Sequence, residues 1–180
     1  MNRVELEKAF WDTNALDKDV DKKYISDIST EDCLNDLQGM FGEVLEIGCG
    51  VGRLMKKGYW GIDISTNMQE IANTRKPECG FKHCDGRTIP FDDDSFDSVY
   101  CYLVFQHIPK DAVDGYIKEA YRVLKKGGTF IFQWIEGAEN EPFSKHYSKE
   151  DMNEMTKMFS GKSSVRSKAY EWWTITRCIK

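Results

Sequence analysis

Val44-Leu45-Glu46-Ile47, followed at once by Gly48-Cys49-Gly50-Val51-Gly52, decides the fold of this chain. The first four residues form a short, branched, apolar run of the kind that fills a buried strand. Three glycines at alternate positions let the backbone turn tightly and let a ligand lie against it without meeting a β-carbon. Arg53-Leu54-Met55 can then open a helix, whose first N–H groups would face an anionic ligand group. Strand, glycine turn and helix start, in that order, point to a nucleotide-like cofactor held at the end of a parallel strand.

Outward from that turn, strands and helices alternate. Tyr59 to Asp63 reads as a second strand. Ser65 or Thr66 caps a helix through about Arg75, with Gln69 placed for a capping box with Thr66, and Pro77 stops it. Phe81 to Cys84 and Phe96 to Val104 read as the third and fourth strands. Pro109 starts the clearest helix, with Val113, Tyr116, Ile117, Ala120, Tyr121 and Leu124 at helical spacing, and Gly127-Gly128 is predicted to end it. Thr129 to Ile135 is nearly continuous and apolar, as in a sheet covered on both faces. Ser148 caps a helix to about Phe159. Val165, Ser167 and Ala169, then Trp173, Ile175, Arg177 and Ile179, alternate as a terminal hairpin preceded by Gly161. Upstream, residues 1–40 look helical and amphipathic, with Ser29 or Thr30 capping a helix that carries Cys33, Leu34 and Leu37 on one stripe and stops at Gly39. The pattern predicts an α/β domain with a mainly parallel sheet.

Composition narrows the class. Length and a hydrophobic fraction of 41% suit one globular domain. A net charge of −5 with both signs interspersed gives no electrostatic footprint for nucleic acid or an anionic membrane. The start, Met1-Asn2-Arg3-Val4-Glu5, lacks the apolar core of a signal peptide, and no run approaches the roughly 18 apolar residues of a spanning helix. The six scattered cysteines fit a reduced, cytoplasmic setting. Cys79, His83 and Cys84 do not match the spacing of ordinary zinc sites, and neighbours on one strand point to opposite faces, so no metal is expected.

Acids mark the ends of the predicted strands. Asp63 ends the second, eleven residues past Gly52, where a carboxylate can accept both hydroxyls of a ribose lying over the glycines. Asp85 ends the third and can accept an adenine amino hydrogen. Glu46 stands two residues before Gly48, where it can hold the turn or a ligand ammonium. A dinucleotide turn normally reads G-x-G-x-x-G. Here the third glycine comes one residue early, and Glu46 would repel a pyrophosphate.

At these residues the chain resembles the class I S-adenosylmethionine-dependent methyltransferases, in particular their small-molecule branch. Val44 to Arg53 is similar to the family's first motif, and Gly61-Ile62-Asp63-Ile64-Ser65 to its ribose-binding strand. Cys84-Asp85-Gly86, Ile89-Pro90-Phe91 and Ser95 to Val99 resemble the adenine-binding segment and fourth strand. Gln106-His107-Ile108-Pro109 and Glu119 to Gly128 continue the likeness, which covers roughly residues 43–135. It implies a Rossmann-like, doubly wound, mainly parallel seven-stranded sheet with helices on both faces and a C-terminal antiparallel hairpin. Residues 1–180 would be one domain, with 1–40 a helical lid, 43–135 the cofactor core and 136–180 a substrate-side helix and hairpin. S-adenosyl-L-methionine would be the cofactor. Gly48, Cys49, Gly50 and Gly52 would face its methionyl part and ribose, with Glu46 assisting and Asp63 taking the hydroxyls. Ile64 and Met68 would pack on adenine, Asp85 and Gly86 would border its amino group, and Cys101 and Tyr102 would border the methyl. Only six residues separate Gly52 from Tyr59, so the first crossover is clipped.

The implied reaction is in-line methyl transfer to a small-molecule acceptor. His107, after the fourth strand, reads either as a base or as the residue that caps or orients the next helix. Tyr102, Gln106 and Trp134 could line an acceptor pocket. Trp11 belongs to a lid or anchors its helix to the core, and His146 and Tyr147 lie where the family places substrate contacts. After the fourth strand stands Cys101-Tyr102-Leu103-Val104-Phe105, without the proline pair of DNA amino-methylating enzymes. A non-catalytic cofactor-binding partner protein and a dinucleotide-dependent oxidoreductase are the alternatives.

Overall fold

The computed structural model describes residues 3–16, 29–137 and 145–180. Residues 17–28 of the expected amino-terminal segment and 138–144 of the expected substrate-side segment lie outside the described residues. Seven strands form one sheet: β1 (Val44–Ile47), β2 (Trp60–Asp63), β3 (Gly80–His83), β4 (Phe96–Cys101), β5 (Leu124–Ile135), β6 (Gly161–Arg166) and β7 (Trp173–Ile179). Their order is β3-β2-β1-β4-β5-β7-β6. The first five run parallel, and β7 lies antiparallel between β5 and β6. Strand order reverses between β1 and β4, which opens a crevice at their carboxyl ends.

Strand side chains alternate between two apolar layers. Leu45, Ile47, Val99, Phe130 and Phe132 pack with Val113, Ile117 and Ala120 of helix α4 (Lys110–Val123) and with Met152 and Met155 of α5 (Lys149–Met155). On the other side, Val44, Tyr100, Ile131 and Ile175 meet Cys33 and Leu37 at α2 (Thr30–Asp36). That layer answers the clipped crossover. Residues 51–54 form turns, not a helix, and α2, arriving from upstream, covers the face together with Leu54. Helix α3 (Thr66–Arg75) is capped by Ser65, whose Oγ accepts from Met68 N at 3.1 Å. Helix α1 (Arg3–Ala15) docks on it through Asp12, which accepts from Ser65 Oγ at 2.6 Å. Among the described residues no helix is long and apolar enough to cross a membrane.

Several expected boundaries move. The capping box between Thr66 and Gln69 does not form, because the Gln69 amide reaches across to the Lys82 carbonyl. Gly127-Gly128 does not end α4. The helix stops at Val123, β5 begins at Leu124, and the glycines form a bulge where pairing jumps from Phe96–Leu124 to Ser98–Thr129. Gly127 takes φ +79° there, and a β-carbon on Gly128 would lie 3.0 Å from the Asp97 carbonyl oxygen. β4 ends at Cys101 rather than Val104, since Leu103 turns the chain with φ +64°. α5 is shorter than expected and ends at Met155.

One side chain ties the segment after β3 to α4. The Arg122 guanidinium makes a forked pair with Glu119, both bonds at 2.8 Å, and donates to the Ile89 and Phe91 carbonyls, both at 2.9 Å. Arg122→Ala is expected to lower unfolding stability by about 1–3 kcal/mol, because charge-assisted bonds are lost and two carbonyls lose their partner. Urea denaturation checks this: a midpoint equal to wild type would contradict it.

Candidate functional site

The turn after β1 takes a left-handed backbone three times, at Gly48 (φ +71°), Gly50 (φ +51°) and Gly52 (φ +79°). A β-carbon on Gly48 would sit 2.2 Å from a Val104 methyl, so only glycine fits beneath the loop after β4. Gly48 N and Cys49 N both donate to the Ile62 carbonyl, at 2.8 and 3.0 Å, which pins the turn to β2. No helix follows, so the expected fan of helix-opening N–H groups is absent. Gly50 N donates instead to Asp63 Oδ2 at 2.8 Å. The turn therefore presents carboxylates where an anion-binding turn presents donors.

Those carboxyl groups are buried. Asp63 is 8% exposed and also accepts from Ser65 N at 2.8 Å. Burial pushes its pKa up, while its backbone donors pull the other way. Glu46 is 3% exposed and accepts from the Tyr100 hydroxyl at 2.8 Å. Burial pushes its pKa up to about 8. Among the described residues neither acid forms a salt bridge. A carboxylate has about four lone-pair sites, so both keep acceptor capacity for a ligand.

A cavity of about 920 Å³ opens at the carboxyl ends of β1, β2 and β4. Glu46, Gly48, Cys49, Gly50 and Asp63 form one wall, and Ile64, Met68 and Gly86 continue it. Tyr102, Gln106 and His107 line it after β4, and Trp11 comes in from α1. The Trp11 and His107 rings meet edge-on at 5.7 Å. α4 follows directly on the turn that carries His107, with Pro109 as its N-cap residue and no side-chain cap bond from that proline.

Six expected residues do not line this space. Gly52 packs toward Lys76 of the α3 end, 3.2 Å from its would-be β-carbon. Asp85 folds back on its own loop, accepting from Arg87 N (2.8 Å), Thr88 N (2.7 Å) and Thr88 Oγ1 (3.0 Å). Cys101 is sealed inside β4. Trp134 points into the core and donates to Thr176 Oγ1 at 2.9 Å. His146 sits against Gly137. The Tyr147 hydroxyl reaches the Phe105 and Ile108 carbonyls at 3.0 and 2.9 Å, bracing the turn that carries Gln106 and His107.

Other lining residues were not anticipated. Leu6 and Phe10 are each 51% exposed on α1 and face this space, and their four-residue spacing beside Trp11 was the available signal. Leu103, Tyr116, Lys145, Tyr170 and Trp173 also line it. Tyr116 and Trp173 read only as core positions of a helix and a strand. Among the described residues no group of three or more His, Cys, Asp or Glu side chains could hold a metal ion.

Comparison with known proteins agrees with this geometry. The family model described as a methyltransferase domain matches residues 45–132. The chain is 34% identical over 99 residues to a sterol 4-C-methyltransferase of Caenorhabditis elegans, covering 48% of this chain and 29% of that protein. It is 34% identical over 108 residues to a probable tRNA methyltransferase 9B of Mus musculus, covering 57% and 24%. The chain spans about a quarter to somewhat over half the length of its curated relatives. Among solved structures, a complex titled DhpI-SAM-HEP shares the fold with a TM-score of 0.75 at 16% identity, covering 99% of both chains. Sheet order, glycine turn and matched segment are in accord: residues 45–132 form a domain of the methyltransferase family.

Proposed function

We propose that the cavity binds S-adenosylmethionine and that the chain transfers its methyl group to a small-molecule acceptor. The observation that carries this reading is the pair of buried carboxyl groups, Glu46 and Asp63, at the wall of a large cavity beside a turn without side chains. Such acids suit a ligand bearing positive charge and ribose hydroxyls, and they oppose a pyrophosphate. When bound, the cofactor supplies a methyl group activated on a sulfonium.

The residues then divide by position. Asp63 accepts the ribose hydroxyls while its backbone donors hold it in place. Glu46 faces the methionyl ammonium. Ile64 and Met68 pack on the adenine, with Gly86 leaving room at its edge. Tyr102 borders the transfer site, its hydroxyl anchored on Asp36 at 2.8 Å. α1 covers the site with Trp11 and Phe10 and excludes water, which strengthens the electrostatic contacts within. His107 stands at the acceptor side and is the group placed to take a proton where the acceptor must lose one. The cavity lies within the range of small-ligand sites, about 300–1,000 Å³, and near its upper end, which suits cofactor and a small acceptor together.

Isothermal titration of S-adenosylmethionine, S-adenosylhomocysteine and NAD checks the reading. The first two are expected to bind saturably and NAD not at all. Binding of NAD alone would overturn it in favour of a dinucleotide enzyme.

A further inference from the structure

Two buried side-chain polar atoms lack a hydrogen-bond partner among the described residues, Gln106 Oε1 and Gln133 Nε2. Gln106 lines the cavity, and Gln133 lies behind it, bonded to the lining residue Leu103. Gln133 is wholly buried on β5, and its Oε1 accepts from Leu103 N at 3.1 Å. That bond holds Leu103 at φ +64°, a strained conformation for a leucine. Three residues on, Gln106 lines the cavity and is only 9% exposed. An unsatisfied buried polar atom has given up its hydration without a bond to replace it. Its occurrence beside a cavity calls for a partner that arrives with a ligand. The terminal torsion of a glutamine amide is broad, so its carbonyl can turn toward such a ligand.

The surroundings say what kind of ligand. Trp11, Tyr102, Tyr116, Tyr170 and Trp173 give the cavity aromatic walls. Outside residues 46–63, the formally charged lining side chains are Glu7 and Lys145, of opposite sign, so no net charge is selected. A carboxamide accepts a hydrogen bond but does not take up a proton at neutral pH. It therefore orients an N–H without deprotonating it, which is all a neutral amine needs, whereas a hydroxyl nucleophile would have to give its proton to His107.

We infer that the methyl acceptor is a neutral, flat aromatic amine whose N–H is accepted by the Gln106 side-chain carbonyl, so that Gln106 determines specificity in the acceptor site. The inference rests on the cofactor reading above. With the N–H held, the nitrogen lone pair is aimed at the methyl carbon. The N–C bond forms as the C–S bond breaks, and the C–S electron pair stays on sulfur. The products are a neutral thioether and an N-methyl ammonium, which then releases a proton to water.

The test uses 1-naphthylamine, indoline, 1-naphthol and naphthalene on wild type, Gln106→Leu and Gln106→Glu. Titration of S-adenosylhomocysteine comes first and separates the two readings: loss of its binding to wild type would defeat the cofactor reading itself. On protein saturated with S-adenosylhomocysteine, at least one amine is expected to bind saturably, and to bind at least about tenfold more weakly to Gln106→Leu, the loss of one hydrogen bond. Naphthalene binding is expected to be unchanged by the substitution. Incubation with S-adenosylmethionine is expected to yield N-methylated amine and no methyl ether of 1-naphthol. Thermal melting of both variants separates misfolding from lost recognition, and Gln106→Glu, which keeps an acceptor oxygen, is expected to retain amine binding. No saturable amine binding at millimolar concentration, equal binding by Gln106→Leu, or methylation of the hydroxyl in preference to the amine would each overturn the inference.

Discussion

Asp63→Asn is expected to weaken S-adenosylmethionine binding about 100-fold while leaving a folded protein. The side chain keeps its shape but loses its charge, and one of its two acceptor oxygens becomes a donor. Gly50 N and Ser65 N, both 2.8 Å from the native carboxylate, then compete for the single remaining oxygen. Hydrogen bonds to a charged group contribute about 1.5–3 kcal/mol each, so losing one or two of them corresponds to roughly two orders of magnitude in affinity. Asp63→Ala goes further, since it also strips both backbone donors of their partner. Its unfolding stability is expected to fall by about 2–4 kcal/mol. Titration calorimetry and thermal melting of both variants check the pair. A folded Asp63→Asn protein that binds within about threefold of wild type would show that the ribose does not lie at Asp63.

Glu46→Gln is expected to change how stability and binding respond to pH. Burial lifts the Glu46 carboxyl from its ordinary 4.5 to about 8, against the pull of the Tyr100 hydroxyl. A carboxyl whose pKa is raised on folding contributes stability that is fully present below the unfolded value and is lost as pH rises through the folded one. The unliganded wild type should therefore lose stability between pH 4.5 and about 8. At about 1.4 kcal/mol per pKa unit the loss is on the order of several kcal/mol. Glu46→Gln should lack that part of the slope, although Asp63, shifted in the same direction, still titrates. A cationic ligand favours the ionised form, so cofactor binding near neutral pH should release about one proton from wild type and much less from the variant. Melting against pH reads the first effect. Titration in two buffers of different ionisation enthalpy reads the second. Equal slopes and equal proton release in the two proteins would contradict the placement of Glu46 beside the bound cation.

Much of this was legible in the sequence, for reasons that residues make plain. The branched run at Val44–Ile47, the apolar strand at Thr129–Ile135 and the helical spacing from Val113 to Ala120 each carry a local period, and each formed the expected element. The glycines at 48, 50 and 52 encode a backbone that only glycine adopts cheaply, and all three take positive φ. What failed was decided by contacts distant in the chain. Gly127 takes the same left-handed angle in a bulge that it would take at a helix end, so the residue type cannot separate the two. Asp85 is an acid at a strand end like Asp63, but Thr88 three residues later captures it in a local loop. Trp134 lies on a strand buried on both faces, where period alone does not say which face meets a cavity. Tyr170 and Trp173 reach the site only because the terminal hairpin folds back beside β5.

The crystal structure of the chain with S-adenosylhomocysteine is the most direct measurement of the central claim. The ribose hydroxyls are expected within hydrogen-bond distance of Asp63, the amino group beside Glu46, and the adenine between Ile64, Met68 and Gly86. A ligand found away from the glycine turn, or lying across it with neither acid in contact, would contradict the claim.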